Sequence, residues 1–226
     1  MIDYSSQPTQ NMKPAPSWEQ RLTGVTFGGL QLSFNSLHLR QLLRFRQELE
    51  GKAVLVPGFA NFPEAMWLAT NGVHVTGIDR SLEGCAEYHR HWEGKKNSAT
   101  GTLEILQGDI RNDINTFKHT RFDAVISELL IHIFPQNEQD LLLSEFRRII
   151  KPRGLLILTA LAKGDRNFPH SSNLVATQAL VSKFEQEGWQ IEEASEYEQG
   201  GSHSHANGDR HDFAHRIVFF CARNGT

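Results

Sequence analysis

Apolar and polar positions alternate in blocks along the chain, and the blocks switch period. Ala53 to Pro57 is an apolar run of strand length, closed by Gly58. Asn61 is placed to cap a helix, Pro63 suits its first turn and Glu64 stands three residues after Asn61. Ala65, Met66, Leu68 and Ala69 give that helix an apolar side, and Asn71-Gly72 stops it. Val73, Val75 and Ile78 form a second strand ending at Asp79. This predicts strand, tight turn, helix, strand, acid: the first half of a nucleotide-binding α/β unit. A ligand would lie at the strands' carboxyl ends, with Asp79 accepting hydrogen bonds from ribose hydroxyls. The same unit also occurs in α/β proteins that bind no nucleoside.

The alternation continues. Ser81 caps a helix running to about Trp92, and Thr102 to Leu106 reads as a third strand before Gln107-Gly108-Asp109-Ile110. Arg111 to Lys118 is a short connection, Phe122 to Ser127 a fourth strand and Glu128 to Pro135 a loop. Gln136 to Ile150 has a helical period, 151–154 is a turn and Leu155 to Ala160 a fifth strand. Leu174 to Glu187 is a helix ended by Gly188, Trp189 to Tyr197 a sixth strand and Phe213 to Cys221 a seventh. The polar, glycine-rich EQGGSHSHANGDRHD between the last two makes a hairpin-like return, so the last strand is antiparallel. The expected fold is α/β: a doubly wound seven-stranded sheet, mostly parallel, with an antiparallel last strand.

Upstream, residues 1–16 are polar and proline-dotted, which predicts a flexible tail or an arm that orders on binding. Residues 17–50 form an N-terminal extension. Its first part, with Gly24, Gly28 and Gly29, reads either as a lid or as a packed surface turn. Its second part, Ser36 to Glu50, has a helical period with Leu37, Leu42, Phe45 and Leu49 near one face. Residues 51–226 are then the main domain.

Composition narrows the function classes. The chain has 226 residues and a net charge of -3, which argues against a large nucleic-acid surface. Two distant cysteines, Cys85 and Cys221, suggest neither a disulfide framework nor a zinc motif but free thiols in a reducing cytoplasm. No run of 18 apolar residues predicts a membrane span, and the first residues lack the apolar core of a signal peptide.

Taken in order, AVLVPGFANFPEA, VTGIDRS, LQGDI, FDAVISELLIHIFP and FRRIIKPRGLLILTAL make residues 50–222 resemble the class I S-adenosylmethionine-dependent methyltransferases. In look they are nearest to the thiopurine, thiol and tellurite-resistance branches. The resemblance implies a Rossmann-like methyltransferase fold, S-adenosyl-L-methionine as cofactor and a small-molecule acceptor, such as a thiol or chalcogen. It implies a cytoplasmic monomer or homodimer with no nucleic-acid or membrane partner. Its cofactor residues would be Pro57, Gly58, Phe59, Ala60, Asp79, Arg80, Asp109, Ile110 and Ser127. Asp79 would meet the ribose, Asp109 the adenine amino group, and Ile110 would pack on the ring. Val56 departs from the pattern, standing where the family usually has an acid, and Ala60 and Phe62 stand where glycines are common. These departures carry the alternative of a non-catalytic nucleoside- or metal-binding module on a degenerate relative of the fold.

Methyl transfer is an in-line displacement that depends on alignment, and a base is needed only if the acceptor must lose a proton. The catalytic candidates lie after the fourth strand, His132 and Glu128. His132 aligns with a histidine frequent in this loop of the family and is otherwise a structural loop histidine. Glu128 could bind the cofactor's amino group, act as a base, or cap a helix. His203, His205, His211 and His215 form a second cluster, open to three readings: rim of the substrate cleft, solvated loop, or metal ligands. They are expected to converge at the open end of the cleft, on the side of Ser127 and His132.

Overall fold

A computed structural model describes residues 25–27, 30–32, 44–59, 64–168, 170–204 and 210–225. Two short strands, β1 (Val25–Phe27) and β2 (Leu30–Leu32), pair with each other antiparallel. A helix, α1, has 44–49 as its described residues and buries Phe45 and Leu49, two of its four predicted inward positions. Leu37 and Leu42, the predicted cap Asn61 and the Ala60, Phe62 and Pro63 positions lie outside the described residues.

The main sheet is built from β3 (Ala53–Pro57), β4 (His74–Asp79), β5 (Thr102–Gln107), β6 (Phe122–Ser127), β7 (Ile150–Leu161), β8 (Gln190–Ser204) and β9 (Arg210–Arg223). Its order is β5-β4-β3-β6-β7-β9-β8. The five strands from β5 to β7 are parallel, and β9 runs antiparallel between β7 and β8. The expected doubly wound sheet is present, with the direction of winding reversing at β3. Strands that are apolar on both faces cannot meet water, so helices cover them. On one face Val54, Val56 and Ile126 pack with Met66, Trp67 and Leu68 of α2 (Glu64–Thr70) and Tyr88 of α3 (Leu82–Lys95). On the other, Leu55, Val125 and Leu156 pack with Ile110 of α4 (Ile110–Asp113), Phe146 of α5 (Gln136–Ile149) and Phe184 of α6 (Thr177–Gln186).

Local signals act as their chemistry predicts. The Ser81 hydroxyl accepts the Gly84 N–H at 3.0 Å and opens α3. Gly72, at φ +89°, closes α2, where a side chain would be strained. Two readings change. Residues 151–154 are not a separate turn but a bulge inside β7: Ile150 pairs with Phe122, and Leu155 with Ala124. The polar return after Tyr197 is largely strand. The β8–β9 ladder continues to Ser204↔Arg210, seven pairs past Tyr197↔Ile217, where β7 ends. At about 3.3 Å per residue the ribbon projects roughly 20 Å beyond the carboxyl end of the sheet. Its alternation of polar residues carries no apolar face, so burial patterning gave no strand signal.

Candidate cofactor cleft and the loop beside it

The parallel strands end on one side in a cleft of about 400 Å³, lined by Gly58, Ile78, Asp79, Arg80, Ser81, Gly108, Asp109, Ile110, Glu128, Leu129, Leu130, Ile133 and Phe134. It lies where the winding direction reverses, the usual ligand position in such sheets. Gly58 turns out of β3 at φ +71° and donates its N–H to the Ile78 carbonyl at 2.8 Å. A Cβ there would sit 3.0 Å from Leu130 Cδ1, so glycine serves both the turn and the cleft wall.

Asp79 ends β4, and its Oδ1 accepts the Ser81 N–H at 2.8 Å. Asp109 ends the β5 segment and caps α4 through the Arg111 N–H at 3.0 Å. The Arg111 side chain grips the same carboxylate, with Nη2 to Oδ2 at 2.6 Å, and reaches Glu138 at 3.3 Å. Its guanidinium also lies 5.5 Å from the centre of the Phe134 ring. The Arg111 hydrogen bonds hold Asp109 below the ordinary carboxylate range, against the effect of burial. A carboxylate has about four acceptor positions, so Asp109 retains capacity for a ligand donor.

Not every expected residue faces the cleft. Pro57 is buried at the end of β3. Phe59 is a core side chain: fully buried, it meets Tyr88 edge-on at 4.6 Å and rests against Gly77, where a Cβ would come within 2.8 Å of its ring. Only the backbone of Phe59 is left to meet a ligand. Ser127 is fully buried, and its Oγ has no hydrogen-bond partner. Val56 is 3% exposed and belongs to the core.

Glu128 borders the cleft as a half-buried residue, while its Oε2 is closed off from solvent. Its carboxyl hydrogen-bonds to that of Glu64, which is 4% exposed at the start of α2. Two carboxyls in contact must share a proton, since two carboxylates would repel at short range. Burial first pushes Glu64 up to about 7, and burial together with Glu64 pushes Glu128 well above the usual range. In the sequence Glu64 reads only as a capping partner. Its position inside the buried run Glu64 to Ala69 is the signal that could have marked it.

His132 stands behind the cleft wall. Its Nδ1 accepts the Leu161 N–H at 3.3 Å. Burial, aided by His215, pushes its pKa down to about 4. A neutral ring that accepts at Nδ1 carries its proton on Nε2, so His132 offers a donor and not a base. His215 on β9 pairs with the fully buried Asp165 at 3.2 Å and stacks on Phe168 at 5.7 Å between centroids. The other histidines do not join it closely. His203 and His211 are register partners, four residues farther along β9, about 13 Å at strand rise. The side chains of His203 and His211, and all of His205, lie outside the described residues. Among the described residues no group of three or more ligating side chains could hold a metal.

The profile of the family described as "Methyltransferase domain" matches residues 57–158, the stretch from the first turn through β7. Over those residues the chain is similar to methyltransferase domains. The cofactor that this match implies is S-adenosylmethionine. The fold is shared with TehB from Haemophilus influenzae at a TM-score of 0.65 and 16% identity, over 84% of this chain and 64% of that one. It is shared with an S-adenosylmethionine-dependent methyltransferase from Methanosarcina mazei at 0.58 and 16%, over 80% and 96% of the two chains. The arsenic(III) S-adenosylmethionine methyltransferase of Chlamydomonas reinhardtii aligns at 0.57 and 18%, over 79% and 64%. No curated protein matches the chain in sequence. No described helix is long and apolar enough to cross a membrane.

Proposed function

We propose that the protein transfers the methyl group of S-adenosylmethionine to a small-molecule acceptor, with a soft nucleophile such as a thiol or chalcogen as the favoured class. The observation that carries this reading is the gathering of Gly58, Asp79, Asp109 and Ile110 around one cleft at the winding reversal. Asp79 would accept from the ribose hydroxyls, Asp109 from the adenine amino group, and Ile110 would pack on the ring. Arg80 and Ser81 form the rim of the ribose end, Glu128 and Ser127 lie toward the methionine end, and the Gly58–Phe59 backbone turns between them. Bound cofactor supplies an electrophilic methyl on a sulfonium. The chain's own part is to align the acceptor with it and to exclude water.

What the loop offers supports a soft acceptor. His132 is neutral and donates from Nε2, so no base stands at that position, and a thiolate or chalcogenide anion needs none. The fold shared with an arsenic(III) methyltransferase is consistent with such an acceptor. We place the protein in the cytoplasm as a monomer or homodimer, without a nucleic-acid partner. The histidine-bearing ribbon is assigned to the acceptor side of the cleft. The buried Val56 in place of the family's acid favours the second reading, a nucleoside- or metal-binding module without catalysis. Calorimetry with S-adenosylmethionine and S-adenosylhomocysteine tests cofactor binding. Transfer of labelled methyl to 2-mercaptoethanol, tellurite, arsenite and iodide tests the acceptor class. Binding without transfer to any of them would favour the second reading, and no binding of either nucleoside would overturn the first.

A further inference from the structure

A second cavity lies behind the loop that walls the cleft. It holds about 420 Å³ between α5, α6 and the segment after β7, and none of its residues lines the cleft. Its floor is apolar, made by Ile131, Leu143, Leu174, Val175 and Leu180. Such a volume over such a floor suits a small organic molecule. Two polar features narrow the chemistry. The first is Gln139 of α5, which is 2% exposed and forms part of the wall. Its Nε2 donates to the Phe134 carbonyl at 2.9 Å and to the Asn173 carbonyl at 2.6 Å. Two carbonyl partners fix the orientation of the amide, so both donors are spent and Oε1 keeps its acceptor capacity. Oε1 takes no hydrogen bond from a described residue, and a buried acceptor calls for a donor from the occupant. The second feature is positive charge at the rim. The first turn of α6 borders the cavity through Ala176 and Ala179. Ala176 holds the N-cap position without a side-chain cap, which leaves the positive end of the helix open. Lys163 and Lys183 stand on the same rim. Asp140 at 3.5 Å and Glu187 at 3.2 Å engage Lys183, whereas Lys163 meets no carboxylate among the described residues.

We propose that this cavity is a second ligand site, for a small carboxylate with an apolar body and a hydroxyl group. The hydroxyl donates to Gln139 Oε1 at depth and the body covers the floor. The carboxylate stays at the rim with Lys163 and the start of α6. The turn Ile131–Ile133 separates this site from the cleft: Ile131 lies on the floor, while Leu130 and Ile133 face the other way. The proposal stands whether or not the cleft takes S-adenosylmethionine.

The probe is 4-hydroxyphenylacetate, and the controls are phenylacetate and 4-hydroxyphenylacetamide, each lacking one of the two recognised groups. Calorimetry and ligand-observed NMR on the whole chain should give the probe a Kd of about 0.1–1 mM, as suits about 11 non-hydrogen atoms. Each control should bind about fivefold more weakly, the effect of one lost hydrogen bond or charge contact. Lys163→Glu, a reversal at an exposed position, should weaken the probe roughly threefold to tenfold. Ala179→Phe, which fills the cavity from an exposed position, should abolish binding while the urea midpoint stays unchanged. Excess S-adenosylhomocysteine should leave the probe in place. No binding of the probe at about 5 mM, well above that Kd range, would overturn the proposal. So would equal affinity for the probe and either control, or a Lys163→Glu protein with unchanged affinity. A probe displaced by S-adenosylhomocysteine and indifferent to Ala179→Phe would lie in the cleft, which overturns the second site and leaves the cleft standing. Should Ala179→Phe fail to fold, the two controls and Lys163→Glu decide.

Discussion

Replacing Asp79 separates its two duties. Its Oδ1 accepts the Ser81 N–H at 2.8 Å, and Ser81 in turn caps α3, so the carboxylate helps to fix the β4–α3 turn. Its second duty, under the proposed function, is to accept from the ribose. Hydrogen bonds to a charged group contribute roughly 1.5–3 kcal/mol, and 1.4 kcal/mol is a factor of ten, so losing this acceptor should raise the cofactor Kd about 10- to 150-fold. The turn bond is worth about 0.5–1.5 kcal/mol of stability. Asp79→Ala should lose both, and Asp79→Asn, which keeps an oxygen for Ser81, should lose mainly cofactor affinity. Calorimetry with S-adenosylhomocysteine measures the first quantity and urea denaturation the second. An Asp79→Ala protein that binds the nucleoside with unchanged Kd would remove Asp79 from the ribose site, whatever its stability.

Two further substitutions test the frame that holds the cleft. Gly77→Ala would put a Cβ 2.8 Å from the fully buried Phe59 ring, an overpacking that should cost about 1–3 kcal/mol in urea denaturation. Asp165→Ala removes the acceptor of the Arg216 N–H at 2.7 Å and the Asn167 N–H at 2.8 Å. It should destabilise by about 1–3 kcal/mol, and Asp165→Asn by less, because two part-buried backbone donors lose their acceptor.

Much of this architecture was legible because its signals are local. The apolar runs of β3, β4, β6 and β7, the Ser81 cap and the Asn71-Gly72 stop each act within a few residues, and they mark the succession of elements along the chain. Asp79 and Asp109 were legible for the same reason: each ends a recognisable strand. The pairing of Glu64 with Glu128 was not, because the two acids are far apart in sequence and a buried acid looks in sequence like an exposed one. The orientation of Phe59 was hidden similarly. A single aromatic after the glycine turn can face the ligand or the core, and the deciding fact is that Gly77 leaves room for its ring on the neighbouring strand. The β8–β9 ribbon escaped because its ladder depends on backbone hydrogen bonds without an apolar face.

The loop from Glu128 to Phe134 carries buried groups of opposite electrostatic character on its two sides, and the pH dependence of stability should show both. His132 ionises near 4 in the folded protein against an ordinary 6.5. Between those values the unfolded chain holds the extra proton, so this group makes stability rise with pH, by about 3 kcal/mol in total. Asp165 and His215 face that ring: burial, aided by His215, outweighs Asp165. Glu64 behaves oppositely. It ionises near 7 when folded against an ordinary 4.5, so the folded chain holds the extra proton and stability falls as pH rises across that window, again by about 3 kcal/mol. Glu128 shifts in the same direction and steepens the fall. The two sides overlap from pH 4.5 to 6.5, so the wild-type curve alone would conceal them. Urea denaturation of wild type against His132→Gln, and against the Glu64→Gln/Glu128→Gln double variant, isolates each side as a difference. The stability advantage of wild type over His132→Gln should grow from pH 4 to 6.5, whereas its advantage over the double variant should shrink from pH 4.5 to 7. Difference curves that are flat, or that slope the same way, would show that these groups do not titrate as buried ones, and the shared proton of the carboxyl pair would go with them.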